Sequence, residues 1–167
     1  MAVTGLGLSS ERVIQTLKEL GFTHVVWLPD SEANFMYQTL STDPDLKLVQ
    51  VCREAETMAI AVGLVIGGKQ PVCLIQNTGL MESGDSLRGL VLDHKIPMLI
   101  MVGYRGWRGG APMTDSAAIY LEPILDAWGV KHYLIESDND LGRIAQAWKE
   151  AQETSRAVAV LIGREYE

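Results

Sequence analysis

Short apolar runs alternate along this chain with stretches in which apolar residues recur every three or four positions. The first periodic stretch has Val13, Ile14, Leu17 and Leu20 on one side. Ser9 and Ser10 before Glu11 supply an N-cap, and Gly21 a stop, so the spacing predicts a helix there. His24–Leu28 then reads as a buried strand ended by Pro29 and Asp30. The pattern continues with a helix over 34–40, a strand over 46–51, a helix from Glu54 to Gly67 and a strand over 71–75. It goes on with a helix over 79–92 and a strand over 96–102, then a glycine-rich loop from Gly103 to Pro112. A helix over 116–128, a strand over 131–135, a helix over 141–151 and a strand over 157–162 complete it. Several strands are unbroken apolar runs, which implies burial on both faces. Strands of that kind separated by helices predict an α/β fold with a six-stranded, mainly parallel sheet covered by helices on both sides.

Composition narrows the class. The apolar fraction of 47% and charged fraction of 21% are those of a folded soluble chain. The length of 167 residues suits one domain, residues 1–167. A net charge of −7 argues against bulk electrostatic binding to nucleic acid or an anionic membrane. The apolar run Met58–Gly68 is too short to cross a bilayer, and nothing at the N-terminus reads as a secretion signal. Cys52 and Cys73 lack the spacing of a zinc site or disulfide framework. They suit a reducing compartment, so the expected location is the cytoplasm.

Ligands of open α/β sheets bind beyond the carboxyl ends of the strands. Four polar or glycine-bearing segments follow apolar strands here: Pro29-Asp30-Ser31, Cys52-Arg53-Glu54, Gln76-Asn77-Thr78-Gly79 and Gly103-Tyr104-Arg105-Gly106. Glu54 opens a helix that is apolar nearly all round, from Met58 to Ile66. A helix without a polar face is buried on every side, which in so short a domain predicts packing against another subunit. Glu54 would then stand partly desolvated at the mouth of that interface, while Glu56 reads as a surface or dipole-complementing residue. Gly84-Asp85-Ser86-Leu87 spells a lipase-like string but falls inside a helical pattern. The chain has neither GxGxxG after its first strand nor GxxxxGK[ST], and His24, His94 and His132 lack ligand spacing.

The stretch Cys52–Gly63 resembles the helix-opening glutamate segment of thiamine diphosphate enzymes. The runs Ile75-Gln-Asn-Thr-Gly-Leu80 and Lys95–Gly106 resemble the QNSG-like turn and IPxLLLxxxRG-like strand of phosphonopyruvate and sulfopyruvate decarboxylases. Pro29-Asp30-Ser31 is similar to the PDS of the same group, and the resemblance covers roughly residues 10–162. It implies the pyrimidine-binding half of a thiamine diphosphate site, with Glu54 as the catalytic glutamate. Gln76, Asn77, Thr78 and Gly79 would line the cofactor, and Pro29, Asp30, Ser31 and Arg105 would face an anionic 2-oxo acid. The family's diphosphate and Mg2+ are held through a GDG motif, which is absent from this sequence. The resemblance therefore implies an alpha chain that works with a beta subunit carrying that domain and the metal, and that self-associates through the Glu54–Gly67 helix. Sulfopyruvate decarboxylation, in the setting of coenzyme M biosynthesis, is the activity it implies first. A phosphonopyruvate decarboxylase or carboligase subunit, or a non-catalytic regulatory relic, stays open. Two departures stand out: Thr78 replaces a common serine, and the loop after Arg105 has no residue-by-residue match.

Overall fold

A computed structural model of the chain describes residues 7–30 and 34–163. Its strands are β1 (His24–Trp27), β2 (Lys47–Gln50), β3 (Pro71–Gln76), β4 (Met98–Gly103), β5 (Lys131–Ile135) and β6 (Ala157–Ile162). They form one six-stranded sheet in the order β2-β1-β3-β4-β6-β5, every neighbouring pair parallel. The predicted architecture is therefore present. The helices are α1 (Ser10–Glu19), α2 (Asn34–Thr42), α3 (Ala55–Ile66), α4 (Asn77–Glu82), α5 (Gly84–Ser86), α6 (Ser116–Ala127) and α7 (Gly142–Thr154). Among the described residues no helix is long and apolar enough to cross a membrane.

Alternation along the strands divides the core into two. Val25, Trp27, Val72, Leu74, Leu99, Met101, Val158 and Val160 point toward α1, α2 and α7. Val26, Cys73, Ile75, Ile100, Val102, Ala159 and Leu161 point toward α3, α4 and α6. α1 forms for the reasons its sequence predicts. The Ser9 side chain accepts from the Arg12 N–H, Val13, Ile14 and Leu17 go inward, and Gly21 leaves the helix at φ +82°.

One element differs from expectation. The helix predicted over 79–92 is divided into α4, α5 and a π-helical turn from Leu87 to Leu92. Serine hydroxyls account for the division. Ser83 Oγ donates to the Gly79 carbonyl at 2.7 Å, and Ser86 Oγ donates to the carbonyls of Ser83 and Ala55 at 2.9 and 3.0 Å. Such side-chain bonds compete with the helix ladder and bend it. They also tie this segment to α3, which explains the lipase-like string as structure. α3 is the helix whose composition predicts a side left for another subunit. Thr57, Met58, Ala61 and Val62 are buried, whereas Ala59, Gly63 and Ile66 lie open, Ile66 with 80% of its surface exposed. The helix is apolar all round but covered on one side only.

Candidate active site

β1 is flanked by β2 on one side and β3 on the other, so the strand order reverses between β1 and β3. The crevice at such a switch point, beyond the carboxyl ends, is where open α/β sheets hold ligands. Pro29 and Asp30 leave β1 at this end, both half-buried, while Ser31 lies outside the described residues. Gln76 ends β3 and α4 begins at once with Asn77.

The turn from Gln76 to Gly79 joins β3, α4 and the loop after β4. Asn77 is fully buried; its amide donates to the Arg105 carbonyl at 2.8 Å, and its side-chain oxygen accepts the Thr78 N–H at 3.0 Å. Its role is to fasten the two loops together. Gln76 Oε1 accepts from the Thr78 hydroxyl at 2.8 Å and from the Arg105 guanidinium at 3.2 Å. Gln76 and Thr78 remain half-buried, with polar atoms at the edge of the crevice.

Glu54 stands at the N-terminus of α3 with φ −62° and ψ −33°, half-buried, and its side chain makes no capping bond. Other groups satisfy the amides around it. The Glu56 carboxylate accepts the Cys52 N–H at 3.3 Å, as a dipole-complementing glutamate should. The N–H groups of Glu56 and Thr57 bond the carbonyls of Arg53 and Glu54 at 3.0 and 2.9 Å. Glu54 packs on Gly79. A Cβ at position 79 would run into the glutamate's Cγ and stand 2.9 Å from its Cβ and Cδ. Two segments predicted to serve the same ligand thus meet at a point where only glycine fits. Beside them Glu82 of α4 forms an ion pair with Arg53. Arg53 falls in the Cys52-Arg53-Glu54 segment, whereas for Glu82 the available signal is its spacing from Gly79, three apart on one helix face.

Arg105 is exposed but engaged. Its Nε donates to Asp115 at 3.1 Å in addition to the bond to Gln76. Gly106, at φ +86°, lets the chain turn against Asp115, whose Cβ would lie 2.7 Å from a Cβ at 106. Asp115 also caps α6 by accepting the Ala117 N–H at 2.9 Å. That backbone bond, with the Arg105 guanidinium, holds its carboxyl below the usual range against some desolvation. Farther along the loop, Trp107 stacks on Tyr104 at 5.0 Å and donates to Glu136 at 2.8 Å. Burial, then the hydrogen bond to Glu122, pushes the Tyr104 hydroxyl pKa up. The loop that has no family match is thereby pinned at both ends by its own side chains.

Among the described residues no cluster of three or more His, Cys, Asp or Glu side chains is placed to hold a metal ion. The donor set in this turn is of the kind that suits the pyrimidine half of thiamine diphosphate: a carboxyl free of its own helix cap packs on Gly79, and the same turn carries the half-buried amide of Gln76 and hydroxyl of Thr78.

Comparison with known proteins bears on this geometry. Residues 9–111 match the family described as thiamine pyrophosphate enzyme, N-terminal TPP binding domain. The sulfopyruvate decarboxylase subunit alpha of Methanococcus maripaludis is 32% identical over 98 residues, 59% of each chain. The subunit of the same name from Methanothermobacter thermautotrophicus is 28% identical over 163 residues, covering 95% of this chain and 97% of that one. The fold is similar to the X-ray structure of a candidate thiamin diphosphate-dependent enzyme from Mycobacterium smegmatis. The TM-score is 0.72 at 20% identity, over 96% of this chain and 32% of that one.

Proposed function

Because the chain belongs to the thiamine pyrophosphate enzymes, as their N-terminal TPP binding domain, we propose that it is the alpha subunit of a thiamine diphosphate-dependent 2-oxo acid decarboxylase. Its substrate is 3-sulfopyruvate, converted to sulfoacetaldehyde and carbon dioxide, a proton taking the place of the lost carboxylate. The names of the two methanogen relatives support the substrate. The observation that carries the reading is Glu54 in the space left by Gly79, uncapped, at the switch point of the sheet.

When bound, thiamine diphosphate supplies the electron sink for decarboxylation. Glu54 holds or donates the proton at the ring nitrogen of the aminopyrimidine, the general acid–base role in this half of the site. Gln76 and Thr78 line the pyrimidine, and Asn77 keeps that turn in register with the Arg105 loop. The guanidinium of Arg105 can make two parallel bonds to a sulfonate, exchanging its contact with Asp115 for one with substrate. Asp30 faces the same crevice. The diphosphate and Mg2+ belong to a partner beta chain with a GDG-type domain. The open side of α3 is the surface on which a second subunit docks, completing the burial that its apolar sequence calls for. The cytoplasm suits both cysteines, Cys52 exposed and free and Cys73 buried with its thiol pushed up to about 12 by burial.

The test uses the chain assembled with its partner. Glu54→Gln should leave folding and assembly intact and cut turnover by ~100-fold or more, the scale of general acid–base catalysis. Glu56→Gln should do far less. Equal losses in the two variants would refute the assignment of Glu54. Sulfoacetaldehyde must be the product from 3-sulfopyruvate; faster release of phosphonoacetaldehyde from phosphonopyruvate would replace the substrate.

A further inference from the structure

Arg105 is the cation that the proposed site offers to the anionic end of its substrate, and the fold sets a counter-charge beside it. Its Nε donates to Asp115 Oδ2 at 3.1 Å and its Nη1 to Gln76 Oε1 at 3.2 Å. Of the five N–H groups that a guanidinium carries, the others are left for a ligand. Asp115 is held where it is. Its second oxygen, Oδ1, accepts the Ala117 N–H at 2.9 Å, and its Cβ occupies the space that Gly106 leaves open at φ +86°. Arg105 is fastened from behind, since the fully buried Asn77 donates to its carbonyl at 2.8 Å. The neighbouring arginines among the described residues are engaged elsewhere. Arg53 pairs with Glu82, and Arg108 bonds the Pro112 carbonyl of its own loop at 3.3 Å. Asp30, Glu54 and Glu136, which follow β1, β2 and β5 at this end of the sheet, are all acidic.

We propose that Asp115 is a specificity-determining residue: fixed against Arg105, its charge makes the site prefer a singly charged oxyanion, a sulfonate, to a doubly charged phosphonate. This rests on the reading of Arg105 as the residue that meets the substrate's anionic end. The two candidate substrates share a 2-oxo acid and differ only at that end. A sulfonate carries one negative charge, whereas a phosphonate, like a phosphate monoester, carries about −1.5 to −2 at pH 7. An arginine alone would favour the more highly charged group. Arg105 and Asp115 together sum to no net charge, so the hydrogen bonds are offered without attraction for a second charge, which the carboxylate repels. Specificity is a difference of affinities, and here it comes from penalising the wrong ligand. The Ala117 N–H and then the Arg105 guanidinium hold the Asp115 carboxyl below its usual range against some desolvation, so its charge persists into mild acid. Gln76, being neutral, steadies the guanidinium without altering the balance. The side chains of Arg105 and Asp115 keep 42% and 32% of their surface exposed, and that screening limits the discrimination to about fivefold.

The experiment titrates the full chain, labelled with carbon-13 at arginine Cζ, with methanesulfonate and with methylphosphonate at fixed ionic strength. Arg105→Lys identifies the Arg105 resonance by its disappearance. At about pH 8.5, where methylphosphonate carries two charges, methanesulfonate should move that resonance with about fivefold higher affinity. At about pH 5.5, where each anion carries one charge, the preference should vanish. Asp115→Asn keeps the helix cap and should erase or reverse the preference at the higher pH. A merely structural residue would change thermal stability but not this ratio. A preference absent from the unaltered chain, or surviving unchanged in Asp115→Asn, would overturn the proposal and leave Arg105 as a plain anion contact. A resonance moved by neither anion would overturn it together with the role given to Arg105. Should Asp115→Asn fail to fold, Asp115→Ser, which also caps without charge, takes its place. In the assembled enzyme, kcat/KM for 3-sulfopyruvate relative to phosphonopyruvate should fall about fivefold in the same variant; an unchanged ratio there counts against the proposal. Discrimination in the free chain, together with an assembled enzyme that decarboxylates neither acid, would discard the proposed function and leave the assignment of Asp115 standing.

Discussion

On one face of the sheet α1 and α7 bury Val13, Ile14, Leu17, Ile144, Ala147 and Trp148 and show water Glu11, Arg12, Arg143, Gln146 and Lys149. On the other, α3 and α6 bury Met58, Ala61, Leu121 and Leu125 but leave apolar residues outside as well. Among the described residues the exposed large hydrophobics are Ile66, Ile119 and Tyr120, all on those two helices. The first face is finished against solvent by ordinary amphipathic helices, and its burial serves stability. The second has an interior and, in Ile66, Ile119 and Tyr120, apolar residues on its exterior as well. The candidate site lies at the edge of the second, where Glu54 opens α3. The contrast teaches that the unusual composition of α3 and the candidate site fall on the same open face of the sheet.

The sharpest way to break this comparison is to truncate one isoleucine on each face. Ile144 is fully buried on the inner side of α7, so Ile144→Ala should cost about 2–5 kcal/mol in chemical denaturation of the single chain. Ile66→Asp should leave that stability within about 0.5 kcal/mol, because the side chain is already in water. It should instead abolish self-association or docking of the partner, read by sedimentation at concentrations where the unaltered chain assembles. Loss of stability without loss of assembly in Ile66→Asp would make the second face an ordinary surface.

Gly79→Ala sharpens the contrast at a smaller scale. A methyl group there must displace the Glu54 side chain, an overpacking that costs about 1–3 kcal/mol. The thermal melt should fall modestly while turnover of the assembled enzyme falls toward that of Glu54→Gln. An alanine variant with normal turnover would mean that the Gly79 cradle does not position the carboxyl.

How much of this was legible beforehand follows from the range of each interaction. The alternation of apolar runs and periodic stretches is local, so six strands, their parallel pairing and the helical layers could all be read from it. So could the special character of α3, since a helix apolar all round is visible in its composition alone. That one side would be bare could be argued only from the domain's size. The Gly79–Glu54 contact was out of reach, because it depends on how closely α4 crosses the start of α3, 25 residues earlier in the chain. Glu82 was passed over for a related reason: an exposed glutamate on a short helix has no local mark until Arg53 is brought to it. The division of 79–92 arises from hydroxyls of Ser83 and Ser86 turning back on the backbone, which a hydrophobic period does not register. Arg105 was read as free to meet substrate, whereas Asp115, ten residues on, already occupies it.

The smallest expected effect concerns that last pair. Asp115 both caps α6 and binds Arg105. Asparagine caps helices about as well as aspartate. Asp115→Asn therefore retains the bond to the Ala117 N–H and removes the charge that holds the guanidinium. The aspartate's folded-state pKa lies below its ordinary value of 3.8. A depressed carboxyl pKa contributes stability that is fully present above the unfolded value and is lost as pH falls through the folded one. The melting temperature of Asp115→Asn should accordingly lie slightly below that of the unaltered chain, by a constant amount from pH 8 down to about pH 5. The gap should close in stronger acid, below the unfolded value, as the unaltered chain loses the charge that the variant never had. Both residues of the pair are partly exposed, so added salt should narrow the same gap at neutral pH. A gap that widened in acid, or ignored salt, would assign the effect of Asp115 to the cap and leave Arg105 unrestrained on its loop.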